Sequence, residues 1–286
     1  MLTAAVLAFA AVVELADLLG IHHTLNGGII LLTLWYLGIR ECPGEWRERI
    51  VAGWLICSVF VAILACVQIF FMPRSRGVWD SPNFLGSYAA CNIFIALWLR
   101  ERGYPWWGTM LPLSANVLAL ALSQSRGAIL AAAVGAVVMY GRRYWWAIFN
   151  SAGLAIALLG MNRPDVFADE RWHIWHTGWL LASHLPLLGW GLGVVMPGLQ
   201  GWYNVALDWF VASGIVGLFI GFYLLSMSTL RARNSGPALS FLACWLAQGM
   251  LMVPRPETAI ALYMMLGVLE RNAGTVFPAS HRPTFA

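Results

Sequence analysis

Residues 50–72 read IVAGWLICSVFVAILACVQIFFM, a run without a single acidic or basic side chain. About 20 apolar residues, rising about 1.5 Å each as a helix, cover the roughly 30 Å of a bilayer's hydrocarbon core. This stretch therefore predicts a membrane-crossing helix, and comparable runs recur on both sides of it. They predict further spans at residues 2–20, 26–40, 85–99, 107–123, 126–141, 144–160, 203–230, 236–253 and 257–270. The run from 107 to 141 is too long for one crossing and must turn near Ser123, Gln124, Ser125, Arg126 and Gly127. The expected fold is all-α, a single polytopic bundle of about ten spans covering residues 1–286.

The composition agrees. Of the 286 residues 60% are hydrophobic and 10% charged, where a soluble domain carries about 25% charged residues. That excludes an ordinary soluble protein, and no stretch is left over for a large soluble domain. The five cysteines (Cys42, Cys57, Cys66, Cys91 and Cys244) are scattered, with no CxxC or Cys/His metal spacing. The first twenty residues contain Glu14 and Asp17 and lack a basic leader, so they read as a retained span and not as a cleaved signal.

All 17 basic residues are arginine, and the net charge is +4. In a membrane chain such a balance sets orientation and does not bind nucleic acid. With a cytoplasmic N-terminus, Arg40, Arg47, Arg49, Arg100, Arg102, Arg142, Arg143, Arg231, Arg233, Arg271 and Arg282 fall inside. Arg74, Arg76, Arg126, Arg163, Arg171 and Arg255 fall outside. The majority then lies where the positive-inside tendency places it.

Two segments interrupt the tight connections, and both fall on the outer face: residues 73–84 (PRSRGVWDSPNF) and residues 161–202. Within the second, residues 171–183 predict a short interfacial helix with Trp172, Trp175 and Trp179 along one side, which reads most simply as an aromatic belt. The glycines from Gly189 to Gly193 predict a turn, and with no strand before them they do not form a nucleotide fingerprint. Gly217 and Gly221 have the spacing that lets membrane helices approach closely.

Arg126 stands out because it sits between two apolar helices on the face where arginine is disfavoured. It opens a helix for which Ser123 and Ser125 are available as caps, so the helix dipole adds to its positive field and the corner suits a phosphate. The plainer reading is a helix-end arginine reaching water or an acid. Arg171 follows Asp169 and Glu170, for which a local solvated charge cluster is the plainer account. Should the two arginines converge, their planar guanidinium groups could hold a diphosphate without a metal and stabilise it as it departs. Glu14, Asp17, His22 and His23 lack a metal-specific spacing and read as outer-surface groups.

Four of these stretches, in order, resemble the O-antigen ligase and O-antigen polymerase superfamily. GVWDSPNFLG at 77–86 is similar to its Pro-Asn loop, and SRGA at 125–128 to its S-R-G-A turn. Arg171 with Trp175, followed by PLLGWGLG at 186–193, is similar to its Arg/Trp and glycine segment. Tyr203 and Asn204, continuing to GIVGL at 214–218, are similar to its H-N and G-I-x-G-L segment. The resemblance implies an enzyme of the bacterial inner (plasma) membrane that is active at its extracytoplasmic face and needs no metal or cofactor. It would move an undecaprenyl-diphosphate-linked glycan onto a hydroxyl of a glycolipid or glycan acceptor among membrane lipids. It also implies that Arg126 and Arg171 serve the donor diphosphate.

Tyr203 stands where the family has the histidine that activates the acceptor. An ordinary tyrosine, with a pKa near 10, is a poor base at neutral pH. Alternative bases on the outer face are His173, His176, His184, Asp208 and Asp165, of which histidine best meets the pKa requirement. On a regular helix Arg171 and His176 lie about 140° apart and would not share a face, whereas Asn204 and Asp208 would. The set of expected site residues is therefore Arg126, Arg171, Tyr203, His176, His184 and Asp208 for chemistry. Arg76, Asn83, Asn204 and Arg255, the last in an expected outer turn at residues 254–257, are the expected substrate contacts. Direct displacement by the hydroxyl predicts inversion at the anomeric carbon. Three rival readings stand beside this one: a polymerase of the same superfamily, a transporter or flippase, and a noncatalytic relative lacking the histidine.

Overall fold

The computed structural model describes residues 2–19, 27–79, 81–141, 148, 150, 170–191, 204–251 and 256–272. All regular structure among them is helical. The helices are α1 Leu2–Leu19, α2 Gly27–Glu41, α3 Gly44–Gln68, α4 Pro82–Glu101, α5 Trp106–Ser123, α6 Arg126–Tyr140, α7 Glu170–His184, α8 Val205–Ala232, α9 Gly236–Leu251 and α10 Pro256–Asn272. Three of them, α3, α4 and α8, are long and apolar enough to cross a membrane. The span expected at 144–160 lies outside the described residues.

The apolar run at residues 50–72 lies largely in α3, whose bounds differ from the expected span at both ends. The helix begins at Gly44, earlier than expected, because the charged turn from Glu45 to Arg49 is helical too. It ends at Gln68, before the apolar run does, because the Gln68 side chain turns to the following loop and Phe70 and Phe71 stand exposed. Its buried side is Val51, Leu55, Ser58, Ala62 and Ala65, while Ile56, Phe60, Ile63, Leu64 and Val67 face outward at helical spacing. An apolar outward stripe of this kind would be costly in water and suits lipid.

At the centre stands α4, buried on nearly every side from Phe84 to Leu99 and packed against α3, α5, α6, α9 and α10. Gly135 makes one of these approaches possible: a Cβ there would lie 2.4 Å from the Phe94 ring of α4. Two buried polar groups on α4 find partners on neighbouring helices. Asn92 accepts from Trp54 Nε1 at 2.8 Å, and Gln248 of α9 donates to the Ser87 carbonyl at 3.1 Å. Asn116 of α5 donates to Ser58 Oγ at 2.7 Å.

Side-chain bonds between helix ends establish an alternating, up-and-down arrangement. At the first end, Thr3 meets Tyr36 and Arg40, Tyr36 donates to Glu270, Arg231 donates to the Glu270 carbonyl, and Ser235 donates to Glu101. The start of α1 and the ends of α2, α4, α8 and α10 thus share one end of the bundle. The opposite end gathers the end of α3, the start of α4, the α5–α6 turn and the α9–α10 junction, where Trp245 Nε1 donates to the Thr258 carbonyl at 3.1 Å. Arg40, Arg100, Arg102, Arg231 and Arg233 lie at the first end, and Arg74, Arg76 and Arg126 at the second.

The second half of the chain holds the main departure from a bundle of continuous rods. A continuous span was expected at 203–230, but α8 is broken at Gly214, where φ is 63° and ψ is −166°. Gly217 and Gly221, expected to let helices approach closely, make their tightest approaches within α8, while Gly217 also faces Val12 of α1. A Cβ on Gly221 would meet the Trp209 ring at 2.4 Å, and one on Gly217 would meet the Ser213 side chain at 1.8 Å. Both neighbours belong to α8 itself.

Candidate functional site

The second end of the bundle is built on a loop that the flanking helices hold by hydrogen bonds. Gln68 Oε1 accepts from the backbone N–H of Arg76 at 2.9 Å and of Gly77 at 2.8 Å, while its Nε2 donates to the Gly77 carbonyl at 2.6 Å. Buried Ser75 donates through Oγ to the Ala65 carbonyl at 2.6 Å and through its backbone to the Leu122 carbonyl at 3.2 Å. Gly77 supplies a positive φ of 66°. Trp79 then packs its ring on Tyr88, which in turn meets Trp54. The loop enters α4 through a Ser81 N-cap that accepts from Asn83 N, with Pro82 in the first turn.

Beside it lies the turn between α5 and α6. Gln124 adopts a left-handed conformation, φ 51° and ψ 31°, which ends α5. Ser123 Oγ donates to the Leu120 carbonyl at 2.7 Å and accepts from Ser125 N at 3.2 Å. Ser125 occupies the N-cap position of α6 but makes no side-chain cap bond. Of the two serines expected to cap α6, one closes the turn and the other is a cap by position alone. Arg126 is the first residue of α6 and is half-buried. The turn can lie this close to α4 because residue 86 is glycine: a Cβ there would fall 2.6 Å from Ser125 Cβ and 2.7 Å from Ser123 Oγ.

Arg74 joins the two segments. Its Nε donates to the Ser123 carbonyl at 2.9 Å, and one terminal nitrogen donates to Asn83 Oδ1 at 3.2 Å and to the Gln124 carbonyl at 3.4 Å. Gln124 Nε2 donates back to the Pro73 carbonyl at 3.3 Å. The Asn83 turn and the Arg126 turn, about forty positions apart in sequence, are thereby held together where the starts of α4 and α6 emerge. The positive ends of two helix dipoles therefore face this end of the bundle together with Arg126. Sequence reasoning counted Arg74 among the outer arginines and passed over it as a site residue. Gln68 was missed altogether, since a lone amide at the end of an apolar run carries no motif.

A second assembly surrounds the break in α8. The helix α7 packs against the first half of α8 through Ile174, Ala182, Leu207 and Val211, and Trp179 meets the Phe210 ring. The chain leaving α7 docks into the break. Trp190 N–H and Gly191 N–H donate to the carbonyls of Val211 and Ala212, at 2.7 and 2.9 Å. In return Ile215 N–H donates to the Pro186 carbonyl at 2.7 Å, and Trp190 Nε1 donates to the Leu181 carbonyl at 2.8 Å. Backbone groups that a broken helix releases are satisfied by this segment, a condition for irregular backbone at membrane depth.

The remaining expected residues divide as follows. Arg76 is exposed, with its backbone N–H held by Gln68. Arg171 lies in the first turn of α7, and its side chain lies outside the described residues, as do Tyr203, Arg255 and Asp165. His176 is exposed on α7. His184 is exposed too, with Nδ1 2.7 Å from the Leu180 carbonyl, so in the neutral ring Nδ1 carries the hydrogen and Nε2 the free lone pair. Asn204 is the N-cap of α8, its Oδ1 accepting from Ala206 N at 3.0 Å and Leu207 N at 3.2 Å, so that oxygen is engaged in the fold. Half-buried Asp208 lies one turn further along. The arrangement brings the Asn83 turn beside the turn that leads into Arg126, and it leaves His184 Nε2 as the acceptor of the neutral ring.

No protein-family model matches the chain, and no curated protein matches it.

Proposed function

We propose that the chain crosses the bilayer ten times and transfers an undecaprenyl-diphosphate-linked glycan to an acceptor hydroxyl at the extracytoplasmic face of a bacterial inner membrane, as O-antigen ligases do. The alternating helices, the outward apolar stripe of α3 and the division of arginines between the two ends support the membrane part of this reading. The observation that carries the catalytic part is the Arg74 junction, which ties the Asn83 turn to the turn that leads into Arg126, where two helices begin.

In this mechanism Arg126, joined by Arg171, holds the donor diphosphate, with Asn83 and Arg76 bordering it. The acceptor oxygen attacks the anomeric carbon from the side opposite the diphosphate. As the new glycosidic bond forms, the bond to the diphosphate oxygen breaks and its electron pair leaves with the lipid diphosphate, so the anomeric centre inverts. Negative charge grows on that diphosphate in the transition state, which is where fixed guanidinium groups gain most. The acceptor proton passes to a base drawn from Tyr203, His176, His184 and Asp208. His184 offers a free Nε2 lone pair in its neutral form.

Replacing Arg126 and Arg171 separately by alanine tests this directly, with glycan transfer measured in membrane vesicles charged with the lipid-linked donor. Each variant is expected to lose about a hundredfold or more in rate. Unchanged transfer in both would remove the mechanism. Glycolipid and growing-glycan acceptors offered side by side distinguish ligase from polymerase.

The break in α8 favours a second reading, since transporters use discontinuous helices around their substrates. That reading expects flux of a lipid-linked glycan across sealed vesicles with no covalent transfer. A noncatalytic relative is the third, and Tyr203→His should then create activity absent from the unmodified chain.

A further inference from the structure

We infer that Arg74 is a positioning residue, a strut tying the Asn83 turn to the end of α5 so that the Asn83 amide and the start of α6 address the same ligand oxygens. The inference rests on the reading of this end as a diphosphate site. A guanidinium group carries only donors, so the atom of Asn83 that faces it, at 3.2 Å, is Oδ1. The amide nitrogen then points away from Arg74 and presents two donors, the chemistry a phosphate or sugar oxygen requires. Without the guanidinium, that amide could turn over and offer an acceptor instead.

The other bonds of Arg74 go to the carbonyls of Ser123 and Gln124. These belong to the C-terminal end of α5, the negative end of its dipole, where a cation is favoured. The charge of Arg74 is thus engaged with the protein, while Arg126, two residues past Gln124, opens the next helix. Gln124 Nε2 closes the same seam from the other side by donating to the Pro73 carbonyl. A lysine is a point donor without the planar fork from which Nε and a terminal nitrogen of Arg74 reach these three acceptors.

The test uses the full chain in lipid nanodiscs, with undecaprenyl diphosphate as the probe and its Kd measured for Arg74→Ala, Arg74→Lys, Asn83→Ala and the Arg74→Ala/Asn83→Ala pair. Each single variant is expected to bind about tenfold more weakly, and the double variant no more weakly than the worse single one, because the two residues act as a unit. Losses that multiply in the double variant would mean that Arg74 touches the ligand itself. That result, or wild-type affinity in Arg74→Ala, would overturn the inference. Arg126→Ala separates this from failure of the functional reading: if it binds the probe normally, the diphosphate site is lost as an idea. The strut is then judged by hydrogen exchange alone. Arg74→Ala should speed exchange at residues 81–87 and 123–129 together, and unchanged protection in both segments would overturn it.

Discussion

Among single residues, Gln68 has the clearest expected effect. One amide side chain makes three hydrogen bonds to the loop that leads into α4, donating once and accepting twice. Gln68→Ala leaves those backbone groups to water or to nothing. The expected cost is about 1–3 kcal/mol, the range for a lost set of partly buried polar partners. Thermal unfolding in detergent would register it, together with faster proteolysis confined to residues 73–81. Why the sequence concealed Gln68 and Arg74 but displayed Arg126 is a matter of how each acts. Arg126 stands out by its own cost, a charge between two apolar runs. Arg74 matters through partners at positions 83, 123 and 124, and no local pattern links those numbers. Ser125 shows the converse: its residue type suits a cap, yet Ser123 makes the bonds that close the turn.

Helix boundaries were largely legible, because an apolar run bounded by charge, proline or glycine leaves few alternatives. The helix expected at 107–123 is observed as Trp106–Ser123, and that at 126–141 as Arg126–Tyr140. Hidden from the sequence was the interruption of α8. Gly214 lies inside an apolar run, and only the docking of residues 186–191 reveals its purpose; Gly217 and Gly221 instead make room for Ser213 and Trp209. Gly214 combines a positive φ with a Cβ position 2.3 Å from the Leu187 carbonyl oxygen. Gly214→Ala is therefore expected to cost about 3 kcal/mol or more, with loss of folded protein on size-exclusion chromatography. Gly53→Ala is the matched control. That glycine lies within α3, with nothing within 4 Å of an added Cβ. The substitution should be neutral or stabilise the chain by about 0.5–1 kcal/mol.

For the molecule as a whole, the alternation of helices assigns each described connection to one of two ends. Exposed Val78 lies in the α3–α4 loop, and exposed Gly103 in the α4–α5 loop. In sealed vesicles, Val78→Cys and Gly103→Cys should react with an impermeant maleimide from opposite faces, above the background of the native cysteines. Labelling of both from the same face would contradict the arrangement. The enclosure of α4 carries a consequence of another kind. Four of its five neighbours, α5, α6, α9 and α10, are encoded after it. As the ribosome delivers the chain, the Ser87 carbonyl enters the bilayer before Gln248 exists to meet it. The least apolar of the three long helices must therefore wait, half-wrapped, for the remainder of its own sheath to be made. Chains truncated before α9 are therefore expected to be degraded faster than the full chain, a difference that pulse-chase labelling in cells would measure.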